Sequence, residues 1–212
     1  MITEEVQQKM GTNYDLQKMS RRLARYLDED RYTHTQGVRY TAAALAMVHG
    51  ADMMKAQVAG LLHDCAKCIP AKKKLKLCER ENILMSSYEK KNPFMLHAKL
   101  GAYLARAKYD VEDQEILQAI VWHTTGRPNM SLLEKIIFIA DYIEPNRCKA
   151  PNLEELRKLA FSDLDTCTYR ILEDTLEYLE GNPKDIDGMT QDAFAYYRNI
   201  YERRELEAEE DE

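Results

Sequence analysis

Six side chains have the types and the settings for metal chemistry: His34, His63, Asp64, His97, His123 and Asp141. His34 lies on the apolar side of a helical repeat, and His63 and Asp64 are adjacent in LLHDCAK. His97 falls on another apolar helix face, and His123 closes an oily stretch just before a Gly-containing loop. Asp141 interrupts the apolar run KIIFIADYIEP, where an unpaired carboxylate is costly. Taken one at a time, each reads as a hydrogen-bonded core residue. Taken together, the six polar groups on inward faces are better explained by a shared cation on the axis of a helix bundle. Imidazole nitrogen combined with carboxylate oxygen suits Fe, Mn, Zn or Co, and the lack of a thiolate set argues against a purely structural zinc cage.

Cations flank this set. Lys67 follows Asp64 by three residues, so a continuing helix puts both on one side, with the ammonium as a point charge for phosphate. Arg31 precedes His34 by about one turn, and its planar fork suits a pair of phosphate oxygens. Arg127 and Arg147 follow the stretches that carry His123 and Asp141. Phosphoanhydride cleavage needs a nucleophile, neutralised phosphate charge and a supported leaving group. A bound metal lowers the pKa of its water toward about 7. Asp64 is placed to bridge metal and water, and either a second cation or protonated His97 and His123 would hold the attacked phosphate.

The elements that must position these groups are helices. Leu16, Met19, Leu23, Tyr26 and Leu27 define one face of a first helix; Val38, Thr41, Leu45 and Val48 mark a second, ending near His49-Gly50. Asp52 is the expected cap of a third, running through Ala56, Ala59 and Leu62. The basic stretch 72–76 reads as exposed. Asn92-Pro93 looks like a helix start, with Phe94, His97, Leu100, Gly101 and Leu104 sharing a face. Asp113 caps a helix bearing Ile116, Ala119, Ile120 and His123, and residues 124–128 form a loop. Ser131 and Glu134 make a capping box before Ile136, Ile137, Ala140 and Ile143, and Pro145 ends that helix. Residues 153–180 hold one or two helices stopped by Gly181-Asn182-Pro183, and a last helix starts near Thr190. No strand-like alternation, repeat or linker is visible.

Composition sets the frame. With 212 residues, 45% hydrophobic and 31% charged, the chain fits one soluble domain, and its 8 Gly and 6 Pro leave room for long helices. No apolar run reaches the roughly 18 residues of a membrane span, and no basic stripe with interleaved aromatics suggests nucleic acid. The N-terminal stretch lacks a secretory layout, and five cysteines read as reduced thiols, so a cytoplasmic location is expected. The net charge of −6 comes mostly from the last eleven residues, which hold seven acids and two arginines and read as a solvated helix end or a disordered tail. His49 reads as a helix C-terminal cap. Cys65 and Cys68 form a lone CxxC, and Tyr196, Tyr197 and Tyr201 read as packing residues.

The blocks RYTHTQGV, LLHDCAK, NPFMLHAKLGA, WHTTGR and ADYIEPNR resemble, in order, those of the YqeK family of HD-domain phosphohydrolases, over roughly residues 16 to 200. The resemblance implies an all-α fold, a single HD-domain helical bundle over residues 1–200, with 201–212 as an acidic C-terminal tail. It implies metal-dependent hydrolysis of diadenosine tetraphosphate (Ap4A) to two ADP, with one or two iron ions and Mn or Co as substitutes. His34, His63, Asp64 and Asp141 are the implied iron ligands; His97 and His123 either complete a second metal or donate to phosphate. Asp64, Lys67, His97 and His123 are the expected catalytic groups. Arg31, Thr124, Arg127, Asp141 and Arg147 join them around the nucleotide. A homodimer is implied as well. The segment 184–190 departs from the family's Pro-Ile-His-Pro-like stretch by losing the His and adding acids, which bears on base recognition rather than on the metal. Two other functions stay open: another HD phosphohydrolase, acting on nucleoside mono- or triphosphates or an alarmone, and a non-catalytic metal-binding regulatory protein.

Overall fold

A computed structural model describes residues 14–179 and 186–210. The described residues form α-helices joined by turns, with no strand among them. In chain order these are α1 (Leu16–Leu23), α2 (Glu29–His49), α3 (Met53–Leu62), α4 (Ala71–Arg80) and α5 (Ser87–Lys91). They continue as α6 (His97–Tyr109), α7 (Gln114–Trp122), α8 (Leu132–Ile143), α9 (Leu153–Leu159), α10 (Leu164–Leu179) and α11 (Gly188–Glu210).

Local chemistry starts and stops most of these helices. The side chains of Asp28, Asp52 and Asp113 accept the first free backbone N–H groups of α2, α3 and α7. Ser131 and Glu134 form the reciprocal capping box of α8. Gly50 ends α2 with a left-handed φ of 73°, a conformation that costs a residue without Cβ little.

The centre of the bundle is α2, α3, α7 and α8, with α6 laid across α7 and the pair α10–α11 packed beyond α8. Leu45, Leu61, Leu62, Ile116, Ile120, Ile136, Ile137 and Ile139 are fully buried there. Each such side chain contributes up to about 1.5–3 kcal/mol. Gly101 lets α6 approach the end of α3: a Cβ at this position would meet the His63 carbonyl oxygen at 3.2 Å.

Several local expectations are corrected. Helix α1 stops at Leu23, and Tyr26 is exposed while Leu27 still packs inward. On α2, Val38 and Leu45 are buried as expected, but Val48 is exposed beside Met47 and Thr41 is half-buried, and Ala42 and Ala46 complete the inward face. Helix α6 begins at His97 rather than Pro93, because residues 93–96 form a tight turn and Phe94 is exposed. The Phe94 carbonyl is claimed by side chains, accepting from His97 Nδ1 at 2.7 Å and Lys74 Nζ at 3.4 Å. Lys74 is thus an inward member of the basic stretch, 3% exposed, and burial lowers its pKa. His49 makes a tertiary contact as well as ending α2: its Nε2 donates to Ala160 O at 2.8 Å.

Residues 153–179 divide into two helices, α9 and α10. Helix α11 runs unbroken through residue 200. Tyr201 stacks on Tyr169, and Arg204 pairs with Asp163 and Asp165, after which the acidic stretch to Glu210 is exposed. The first thirteen residues, the Gly181-Asn182-Pro183 stop, Lys184, Asp185 and the final Asp211-Glu212 lie outside the described residues.

Candidate metal centre

The six predicted groups arrive from five helices. His34 sits one turn into α2, His63 caps the end of α3 with Asp64 directly after it, and His97 opens α6. His123 caps the end of α7, and Asp141 lies in the last turn of α8. Helix C-terminal ends offer carbonyls that no intrahelical N–H occupies, which His63 and His123 use; His97 uses the Phe94 carbonyl of the turn before α6, so three of the histidines donate to a carbonyl three residues back. His63 Nδ1 donates to Gly60 O, His97 Nδ1 to Phe94 O and His123 Nδ1 to Ile120 O, each at 2.7 Å. This holds the proton on Nδ1 and turns the Nε2 lone pair inward.

The Nε2 atoms converge. His34 Nε2 lies 3.0 Å from Asp141 Oδ1, and His63 Nε2 lies 3.9 Å from the same oxygen and 3.8 Å from Asp64 Oδ2. Asp64 Oδ1 is 3.2 Å from His97 Nε2 and 3.5 Å from His123 Nε2, and those two nitrogens are 3.1 Å apart. Two groups of potential ligands result, His34–His63–Asp141 and His63–Asp64–His123, with His63 common to both and the donor atoms of each within 4.8 Å of one another.

The donor set fits a divalent cation. His63 Nε2 and Asp64 Oδ1 are buried without a hydrogen-bond partner, which costs stability unless something positive binds there. Burial pushes the His63 pKa down to about 4, and burial with the Lys67 ammonium holds His97 well below the usual imidazole range. Both are therefore neutral lone-pair donors near pH 7. Burial works to raise the pKa of Asp64 and Asp141, yet the surrounding imidazoles, with Lys67 beside Asp64, hold both carboxyls below their ordinary range. His34 is the reverse case: burial lowers its pKa, but the hydrogen bonds to Asp141 and Glu144 outweigh it and raise the pKa.

Around this cluster, Lys67 Nζ is 3.4 Å from Asp64 Oδ1 and 3.1 Å from His97 Nε2. Thr124 Oγ1 lies 3.1 Å from His97 Nε2 and 3.0 Å from His123 Nε2, so its hydroxyl faces the same space. Arg147 Nη2 contacts Asp141 through the carboxylate at 3.3 Å and the backbone oxygen at 3.0 Å. Arg31 is not among these contacts: it is exposed, with its Nε 3.2 Å from Asp28 Oδ2. Arg127 turns elsewhere: its guanidinium grips Glu134, with Nη2 2.8 Å from Oε2 and Nε 3.2 Å from Oε1.

Sequence reasoning missed Glu144. It is buried, and its Oε1 lies 3.1 Å from His34 Nδ1. The signal was present: Glu144 follows Asp141 by three residues, hence on the same face, and sits directly before the helix-ending Pro145. It also missed Arg157, whose guanidinium donates to the carbonyls of Ile143, Glu144 and Arg147 at 2.8–2.9 Å and so clamps the end of α8.

Comparison with known proteins agrees with this geometry. The HD domain model matches residues 31–146, the span from Arg31 to just past Glu144. The "Bis(5'-nucleosyl)-tetraphosphatase, symmetrical" of Bacillus subtilis is 44% identical over 153 residues, covering 72% of this chain and 81% of the relative. The protein of the same name from Staphylococcus aureus is 34% identical over 194 residues, covering 89% of this chain and 97% of its own. A crystal structure of a predicted HD superfamily hydrolase involved in NAD metabolism from Clostridium acetobutylicum superposes with a TM-score of 0.84 at 38% identity, covering 88% of this chain and 98% of its own. With its histidines and aspartates gathered at one point within the span where that match runs, the chain belongs to the HD domain family, in the branch of the symmetrical bis(5'-nucleosyl)-tetraphosphatases.

Proposed function

We propose that this chain is a metal-dependent phosphohydrolase that cleaves diadenosine tetraphosphate symmetrically to two ADP. The observation that carries this reading is the junction of ligand and phosphate chemistry at one point. Four imidazoles and two carboxylates meet, with the Lys67 ammonium within 3.4 Å of Asp64 and His97 and the Thr124 hydroxyl within 3.1 Å of His97 and His123. The identity to named symmetrical tetraphosphatases over most of the chain supports the substrate class.

His34, His63, Asp64 and Asp141 would hold the cation. His97 and His123 would either share a second one or donate to phosphate. A bound divalent cation supplies Lewis acidity there, polarising phosphate oxygens and making water acidic enough to ionise near neutral pH. Asp64 would orient the attacking water through its carboxylate. Lys67 neutralises charge on the attacked phosphate, held beside it by Asp64. Thr124, Arg31 and Arg147 align the polyphosphate; Arg127 reaches it only on releasing Glu134. In this reading residues 1–200 are the catalytic domain and 201–212 an acidic extension outside the chemistry.

Iron as the cation is consistent with a donor set of imidazoles and carboxylates. A homodimer is supported by the outward face of α2, where Tyr40, Met47 and Val48 are exposed and Tyr40 shares a groove with Phe161. A cytoplasmic setting is supported by five unpaired cysteines, and no helix of the described residues is long and apolar enough to cross a membrane. The test is product analysis after incubation with Ap4A, ATP, dATP or AMP and Fe(II), Mn(II) or Co(II). ADP as sole product from Ap4A is expected. Phosphate from AMP, or no turnover with any of the metals, overturns the reading.

A further inference from the structure

Three of the four imidazoles at the centre are anchored by backbone carbonyls, and the fourth is not. His63 and His123 stand at helix C-terminal ends and His97 follows the turn before α6, and in each case a carbonyl three residues back accepts the Nδ1 proton. His34 stands inside the 21-residue helix α2, where the preceding carbonyls are committed to the helix ladder. Its Nδ1 instead faces Glu144 Oε1 at 3.1 Å.

The surroundings of Glu144 are built to hold that carboxylate in place. It is 2% exposed. Its Oε2 accepts from Asn146 N at 2.8 Å and Asn146 Nδ2 at 3.1 Å, leaving Oε1 for His34. Arg157 clamps the backbone on both sides of it, through the carbonyls of Ile143, Glu144 and Arg147. Gly37, one turn after His34, leaves the room the carboxylate occupies: a Cβ there would collide with Glu144 Oε2.

We propose that Glu144 is a positioning residue for the metal centre: it holds the Nδ1 proton of His34, so that the His34 Nε2 lone pair is presented to the cation. A carboxylate in this place also adds negative charge to the ring, which strengthens the imidazole as a donor. Glu144 touches neither cation nor substrate in this assignment and acts through His34. The inference rests on the metal-centre reading and not on the identity of the nucleotide.

The experiment is a Co(II) titration of full-length, chelator-stripped protein, followed by visible absorption and by competition with a chelator, without nucleotide. Glu144→Gln keeps an oxygen for Nδ1 but loses the charge. Gly37→Ala keeps the charge but displaces the carboxylate. Each is expected to weaken Co(II) binding roughly 10- to 100-fold and to alter the absorption band, while the melting temperature of metal-free Glu144→Gln stays near that of the parent. Glu144→Asp, which retains the charge on a shorter arm, should recover part of the affinity. Parent-like affinity and spectrum in Glu144→Gln overturn the proposal, as does a fall in metal-free stability with affinity unchanged. If Glu144→Gln does not fold, Gly37→Ala decides by the same readouts. Absence of Co(II) binding to the parent protein would instead overturn the metal centre itself.

Discussion

The centre has two unlike halves. The half formed by His34 and Asp141 is partly open, with side chains 21% and 22% exposed, whereas Asp64, His97 and His123 are at 6%, 1% and 1%. In the open half the imidazole is oriented by a carboxylate, and in the closed half by backbone carbonyls. A buried imidazole tied to its own helix end needs no counter-charge to keep its tautomer. One reached by water is better held by an ionic partner, which competes with solvent more strongly. His63 belongs to both halves and is fully buried between them.

That division can be broken at its shared member. His63→Ala removes a donor from both groups, so elemental analysis should find the metal gone and Ap4A hydrolysis reduced at least about 1000-fold, about 4 kcal/mol in the barrier. Full metal occupancy in this variant would refute the convergence described above. A smaller effect tests whether the closed half serves phosphate. Lys67→Ala should keep its metal and lose about 100-fold in kcat/KM, about 2.7 kcal/mol. A folded but metal-free Lys67→Ala protein would place the ammonium in the wrong role.

Arg127 sharpens the edge of the closed half. Its removal strands the buried Glu134 carboxylate, which keeps only the capping N–H of Ser131. Arg127→Ala should therefore lose about 1–3 kcal/mol of stability, read as a melting temperature lower by about 2–10 °C, with KM little changed. A raised KM at an unchanged melting temperature would put this guanidinium on the substrate instead. The mildest test concerns the wall behind Asp64. Cys68 and Cys148 are exposed and should react promptly with a thiol reagent at pH 8. Cys65, Cys78 and Cys167 are buried, with thiols pushed up by that burial to about 12, about 11 and about 12, and should react only on unfolding. Early labelling of Cys65 would mean that the turn carrying Asp64 opens.

How much was legible varied with the range of the interaction. Caps at Asp52, Asp113 and Ser131 were readable because a side chain and the N–H it accepts lie within three residues. The start of α6 was misread because Pro93 is only a local signal, while the Phe94 carbonyl is drawn off by His97 and by Lys74, twenty residues away. Lys74 was read as exposed for the same reason: nothing near it in sequence announces its acceptor. Arg127 was placed by its position after His123, and its commitment to Glu134 depends on the loop folding back onto the first turn of α8.

The amino-acid sequence alone determined the helical class, most helix ends and the inventory of imidazoles and carboxylates. Periodicity and capping act over a turn or two, and polar groups in apolar runs are visible one residue at a time. Only the tertiary structure decided which nitrogens meet, that one histidine is steered by a carboxylate 110 residues away, and that Gly37 makes space for it. Those outcomes depend on how closely distant helices pack, which is set by the shapes of all the buried side chains between them and by no short stretch of chain.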